Sequence, residues 1–289
     1  MPSRYLLLTA LLCLLLLAAA PRPPAMLDVG HPERLLKPVY LPYVARSLPP
    51  VEMVAIPAGD FRMGCSNNDP NCHSNELPLH SVYLSHYEID KYEVTNRQYA
   101  QCVIDGGCTP PASNASVTHP DYFTNPAYAE YPVMAVTWYQ ADEYCRWAGK
   151  RLPTEAEWEK AARGSSDTRI FPWGNTWPDC SWLNALVNGA FCVGDAVRMG
   201  SYPANTSPYG VIDMAANAWE WVADWYAEDY YSRYPANGWP SDPGGPPNGI
   251  YKAIRSGAWD IGVDGARVSR RVYGFPWDLD TSTGFRCAR

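Results

Sequence analysis

Four sets of residues in this chain have types and spacings that bear on chemistry. The turn Asp213-Met214-Ala215-Ala216-Asn217-Ala218-Trp219-Glu220 sets two carboxylates seven residues apart around several backbone carbonyls. Hard cations draw their ligands from such oxygens, so the turn reads as a calcium site, with a buried acid pair that caps turns as the alternative. Between residues 255 and 283, Arg267, Arg270 and Arg271 stand near Trp259, Tyr273, Phe275 and Trp277. Arginines and large aromatics dominate binding energy at protein surfaces, which makes Trp259, Arg267, Arg270, Arg271 and Trp277 the candidate ligand-binding set. Glu155, Glu157 and Glu159 offer paired carboxylates for acid–base work. Their position just after Thr154 instead predicts capping and a favourable interaction with a helix dipole.

Cysteines form the other chemical set. Eight follow the apolar N-terminus: Cys65, Cys72, Cys102, Cys108, Cys145, Cys180, Cys192 and Cys287. An even number in an exported chain reads as disulfides, although eight cysteines allow 105 pairings. Proximity favours Cys65 with Cys72, Cys102 with Cys108, and Cys180 with Cys192, which leaves Cys145 for Cys287. A zinc site from Cys65, Cys72, His73 and His80 is the competing reading, but the spacing matches no common zinc motif and export favours oxidation.

The elements that must position these groups follow from composition and local pattern. With 289 residues and a net charge of -7 the chain has no basic field for nucleic acid, which is excluded as a partner. With 28 Pro and 21 Gly beside 12 Trp and 20 Tyr, turns and loops should surround a core filled by large rings. Residues 1–20 carry Arg4, an apolar run and three closing alanines, the order of a secretory signal. The expectation is a secreted or extracytoplasmic protein with no stable membrane span after signal cleavage, or one retained at the membrane by an uncleaved leader. Residues 21–50, with Pro21, Pro23, Pro24, Pro32 and the pair Pro49-Pro50, read as an extended linker, and the domain proper spans 51–289.

Three helices announce themselves through one device, a Thr that caps the first turn and a Gln or Glu three residues on that reaches back. They start at Thr95 with Gln98, Thr137 with Gln140, and Thr154 with Glu157. In the second, Trp138, Ala141, Tyr144, Cys145 and Ala148 share one side; in the third, Trp158, Ala161 and Ala162 point inward. Short strands over 51–56, 81–89 and 252–256 complete an α+β domain.

Five strings in order then carry a resemblance. They are Ile56-Pro57-Ala58-Gly59 followed by Phe61 and Met63-Gly64; Glu93-Val94-Thr95-Asn96; Gly149 through Glu159; Asn217-Ala218-Trp219-Glu220-Trp221; and Gly284-Phe285-Arg286-Cys287. Together they resemble the formylglycine-generating enzyme (sulfatase-modifying factor) family from about Val51 to Arg289. The resemblance implies a loop-rich, disulfide-stapled C-type-lectin-like domain with bound calcium, and a Cys145–Cys287 bridge. It also implies that Asp213 and Glu220 give calcium side-chain oxygens while Ala216 and Ala218 give backbone oxygens. Ala216 stands where many relatives have Gly and suits the site only if its backbone needs no positive φ. A second calcium site maps to Asn184 and Ala185, with remaining ligands in the loop 188–191.

Catalytic members of that family hold copper between two cysteines five residues apart, and soft thiolates suit Cu(I). In Arg255-Ser256-Gly257-Ala258-Trp259-Asp260-Ile261-Gly262-Val263-Asp264-Gly265-Ala266, Ile261 and Ala266 stand at those places, and no cysteine lies between Cys192 and Cys287. Copper is therefore not expected, and no catalytic residue is assigned. Two functions compete: a non-catalytic, calcium-stabilised module that binds a peptide, glycan or protein, and a divergent oxidase converting a substrate cysteine to formylglycine. The missing pair favours the first.

Overall fold

A computed structural model describes residues 51–165, 168–235 and 238–289 of the chain. Residues 1–20, expected as a secretory signal, and the proline-rich stretch 21–50, expected as a linker, lie outside the described residues. The three expected helices are present: α1 (Asn96–Ile104), α2 (Trp138–Trp147) and α3 (Glu155–Arg163). In each the Thr oxygen accepts from the backbone N–H three residues on, and the Gln98, Gln140 or Glu157 side chain accepts the Thr N–H in return. Each such cap stabilises its helix by about 1 kcal/mol, which matters because helices of nine or ten residues are marginal alone.

The strands in chain order are β1 (Met53–Ile56), β2 (Gly59–Met63), β3 (His80–Leu84), β4 (Tyr87–Asp90), β5 (Leu186–Val187), β6 (Ala190–Phe191), β7 (Trp219–Trp225), β8 (Lys252–Arg255), β9 (Val272–Gly274) and β10 (Thr283–Phe285). The run expected as one strand over 81–89 is two. β3 pairs antiparallel with β2 and β4 pairs antiparallel with β1. The largest sheet has the order β10-β7-β8-β9, with β10 parallel to β7 and the other pairs antiparallel. Parallel pairing brings the C-terminal string beside Trp219-Glu220-Trp221, in the register Thr283 to Trp219, Gly284 to Glu220 and Phe285 to Trp221. Gly284 is required there, since a Cβ would meet the Val133 carbonyl oxygen at 2.5 Å.

The four expected disulfides form: Cys65–Cys72, Cys102–Cys108 and Cys180–Cys192, which proximity favours, and Cys145–Cys287, the pair left over. Cys145–Cys287 ties α2 to the end of the chain across 142 residues. Closing a loop of that length restrains the unfolded chain by about 5 kcal/mol in an entropic account.

α3 differs from expectation. Trp158, Ala161 and Ala162 are buried as predicted, but so are all nine of its residues, acids and bases included. Glu157 does cap the helix and also takes both guanidinium nitrogens of Arg151 at 2.6 Å. Glu155 and Glu159, expected to cap the helix and favour its dipole, sit in a buried ionic net. Glu155 takes two bonds from Arg271 and one from Arg255; Glu159 takes bonds from Arg255 and Arg163. Lys160 is satisfied by the carbonyls of Pro57 and Gly59, both at 2.8 Å. A charge buried without a partner costs several kcal/mol, so the helix can pass through the interior only because each charge is paired.

Candidate metal centre and ligand surface

The turn proposed for calcium is shaped by left-handed residues. Asp213, Ala216 and Asn217 have φ of 57°, 66° and 68°. Ala216 thus holds the conformation that the sequence reading required it to avoid. It is kept there by neighbours: its N–H donates to Ser256 O at 2.7 Å, and Asn217 N–H donates to Asn184 O at 3.1 Å. Beyond the turn, β7 carries Glu220 into the sheet, where the side chain is fully buried.

Three buried carboxylates, Glu93, Asp213 and Glu220, surround one buried guanidinium, Arg286. Arg286 grips Glu220 through Nε and Nη2, each at 2.8 Å, and Trp158 Nε1 donates to the same carboxylate at 2.8 Å. Its remaining hydrogens go to the carbonyls of Asp90, Lys91, Ile212 and Asp213. Asp213 accepts from Gly200 N–H at 2.6 Å. Burial pushes the Asp213 carboxyl up to about 6, against the Gly200 hydrogen bond and the Arg286 charge that favour its ionised form. Burial, helped by the charge of Asp213, holds Glu93 well above the ordinary carboxylate range. One cation for three acids leaves the cluster short of positive charge, and a divalent ion would make up that shortfall. The donors that the resemblance names, the side chains of Asp213 and Glu220 and the carbonyls of Ala216 and Ala218, are all oxygen, the chemistry calcium takes, although both Glu220 oxygens are held here by Arg286 and Trp158. Among the described residues Glu93 Oε2 and Asn184 Oδ1 have no hydrogen-bond partner although both are buried.

Asn184 belongs to the second mapped site and adjoins the first. Its Nδ2 reaches Asn217 Oδ1 at 3.3 Å and Asp195 O at 2.8 Å. Ala185 is buried beside it, its carbonyl accepting from Cys192 N–H at 3.0 Å. The stretch 188–191, expected to supply further ligands, is the exposed turn and second strand of the β5–β6 hairpin, with Asn188 in a left-handed turn at φ 52°. The acid brought to Asn184 is Asp195, buried and bound by Ser116 and Thr118. Sequence reasoning passed over Asp195 because only the return of the chain after Cys192 brings it there.

The ligand-binding set divides. Arg267 and Arg271 are 0% and 1% exposed, so neither guanidinium faces a ligand. Arg267 holds Glu76 with two bonds of 2.8 Å, Asp69 at 2.9 Å and Asp264 at 2.8 Å. Arg271 holds Glu155 at 2.8 and 2.9 Å and the Asn75 carbonyl at 2.7 Å. Instead of forming the expected ligand surface, both neutralise buried acids that lie far away in sequence. Arg270 keeps part of its side chain exposed, 3.7 Å from both Glu76 and Asp264. Trp259 is buried, its ring 5.9 Å from that of Phe191. Trp277 is 59% exposed and stacks on Phe275 at 5.1 Å, at the end of a row of rings that continues through Tyr251 and Tyr273.

Ile261 and Ala266 occupy one small neighbourhood. Ile261 is 40% exposed, and its carbonyl accepts from Leu186 N–H. A Cβ on Gly265 would meet Ile261 Cγ2 at 2.6 Å, so the isoleucine lies over the Val263–Ala266 turn with Ala266 buried beneath. Neither side chain offers a soft ligand.

The sulfatase-modifying factor enzyme 1-like domain matches this chain over residues 42–289. The chain is 36% identical over 250 residues to serine/threonine-protein kinase pkn1 of Chlamydia pneumoniae, covering 82% of this chain and 38% of that protein. It thus spans well under half the length of the chlamydial relative. It is 34% identical over 282 residues to formylglycine-generating enzyme of Thermomonospora curvata, covering 82% of this chain and 92% of that enzyme. Among solved structures it is similar to PvdO from Pseudomonas aeruginosa, with a TM-score of 0.65 at 28% identity, covering 82% of this chain and 93% of that one. The four disulfides fit an extracytoplasmic location, and among the described residues no helix is long and apolar enough to cross a membrane. The chain belongs to the sulfatase-modifying factor enzyme 1-like domain family, with its C-type-lectin-like fold.

Proposed function

We propose that this protein is an exported, non-catalytic member of its family, a calcium-stabilised scaffold that presents the 255–283 segment to a peptide, glycan or protein. One observation carries the reading: at the two positions where the resemblance puts the copper thiolates stand a half-exposed Ile261 and a buried Ala266, neither of which can ligate copper. Members of the family bind calcium and copper. The oxygen-only cluster of Asp213, Glu220 and the Ala216 and Ala218 carbonyls supports calcium here, while the absence of thiols at 261 and 266 argues against copper. Trp277 and the partly exposed Arg270 are what remains of the ligand-binding set at the surface. Export rests on the leader and the disulfides, with release or retention by the leader both open to the chain.

The test is direct. Purified protein, supplied with copper and oxygen, is incubated with a peptide containing Cys-x-Pro-x-Arg, and the peptide is read by mass spectrometry. No aldehyde is expected from folded, calcium-supplied protein. Conversion of the thiol to formylglycine would overturn the reading in favour of the oxidase.

A further inference from the structure

Cys65, Asp69 and Cys72 place three metal-ligating atoms within 4.8 Å of one another, and in the oxidised protein the two sulfurs are bonded to each other. Asp69 Oδ2 lies 3.4 Å from Cys65 Sγ. His73 follows directly in sequence, its side chain 43% exposed and bonded to Asp264 at 3.0 Å. His80, the other histidine of the zinc reading, is removed from this group: it is buried, bonded to Pro78 O and stacked on Trp239.

The bond between these sulfurs has a route to opening that the interior bridges lack. Cys72 is half-buried, so its bridge lies nearer solvent than Cys145 and Cys287, which are fully buried. The sulfur that would leave is Cys65 Sγ, and Arg267 Nη1 stands 3.8 Å from it. That guanidinium favours a thiolate there, while the Asp69 carboxylate at 3.4 Å opposes it, so access to the bridge, more than local charge, sets it apart. Around the pair, Asp69, Glu76 and Asp264 face Arg267 and Arg270. Two new thiolates would add negative charge to a cluster that already holds three acids against two bases. A divalent cation with affinity for sulfur answers that excess.

We infer that Cys65–Cys72 is a redox-gated metal clip: once reduced, Cys65, Cys72 and Asp69 bind zinc or a similar thiophilic divalent ion. The fourth position is open to water or to the ring of His73. A tetrahedral zinc site with thiolate ligands has edges of about 3.5 to 3.8 Å, so the three atoms need only small shifts once the sulfurs part. A dithiol reductant supplies two electrons and two protons to the disulfide and becomes a disulfide itself. Metal binding then releases the two thiol protons. The inference concerns a different place from the 255–283 ligand surface and does not depend on it.

Native full-length protein is treated with graded reductant, alkylated and mapped by mass spectrometry, with a Cys180→Ser/Cys192→Ser variant used to exclude the exposed Cys180–Cys192 bridge. After reductant is removed anaerobically, the protein is titrated with cobalt(II) as a spectroscopic stand-in, followed by zinc. Expected are alkylation at 65 and 72 before 145 and 287, and a thiolate-to-cobalt charge-transfer band that saturates at one equivalent and is displaced by zinc. Cys65→Ser should abolish the band, and Asp69→Asn should weaken binding by about tenfold while near-UV circular dichroism stays native. Alkylation at 65 and 72 only on global unfolding, or opened thiols that give no thiolate–cobalt band, would overturn the inference.

Discussion

Asp224 offers the sharpest test of how this interior handles charge. It lies on β7, 3% exposed, with its Oδ2 accepting from Glu155 N–H at 2.8 Å at the start of α3. The space is closed on the other side by Gly245, where a Cβ would meet Asp224 at 2.7 Å. Burial first, then the charge of Glu155, pushes the Asp224 carboxyl up to about 8. An aspartate in the unfolded chain titrates near 3.9. The folded protein therefore keeps a proton between about pH 4 and 8 that the unfolded chain has released. Because the folded pKa is raised on an acid, stability falls as pH rises through that window and levels off above it. At pH 7 the cost is at most about 4 kcal/mol, from 1.36 kcal/mol per pH step over roughly three steps. Asp224→Asn keeps an acceptor for Glu155 N–H and removes the ionisation. Equilibrium denaturation, with disulfides intact and tryptophan fluorescence as the probe, should find the variant more stable than the parent at pH 7 to 8, with the difference shrinking towards pH 4. Comparing the two proteins cancels other acids raised by burial, such as Asp90 and Asp213. A difference that does not change with pH, or a variant less stable at pH 8, would refute the reasoning.

Glu155→Gln leaves Arg271 and Arg255 buried without a carboxylate they share, and should lower stability by about 3 to 5 kcal/mol in the same assay. Ala216→Gly relieves a left-handed alanine and should raise stability by about 0.5 to 1 kcal/mol, since the strain removed exceeds the added chain entropy of glycine. If calcium binds at Asp213 and Glu220, calorimetry should show the melting temperature falling with a chelator and recovering with added calcium. At a hundred times the dissociation constant the ion stabilises by about 2.7 kcal/mol, a response that Asp213→Ala should remove. Replacing Cys145 and Cys287 together by Ala should cost about 5 kcal/mol, measured by denaturant titration.

What could be read from sequence here is what is settled over a few residues. Thr95, Thr137 and Thr154 meet partners three positions away, so their caps and the helix starts depend on nothing distant. Cys65–Cys72, Cys102–Cys108 and Cys180–Cys192 close loops of 6 to 12 residues, short enough for proximity to select. The order of the five strings carried the family and its fold, and Ile261 and Ala266 could be read at the copper positions without any coordinates.

Tertiary structure decided the rest, through pairings between separate elements. Arg267 and Arg271 look like surface residues until Glu76 and Glu155 arrive from 191 and 116 positions away and draw them inside. Nothing in the sequence Glu155-Ala156-Glu157-Trp158-Glu159 shows that α3 will be enclosed on every side, because its charges are matched by Arg255 and Arg271 on other elements. Ala216 takes a left-handed conformation because Ser256 and Asn184 hold the turn, and a residue's own preference yields to such contacts. Asp195 reaches Asn184 only by the path of the chain after Cys192. Local hydrogen bonds are fixed by spacing along the chain, whereas the partner of a buried charge is fixed by which elements pack together, and that is a property of the whole fold.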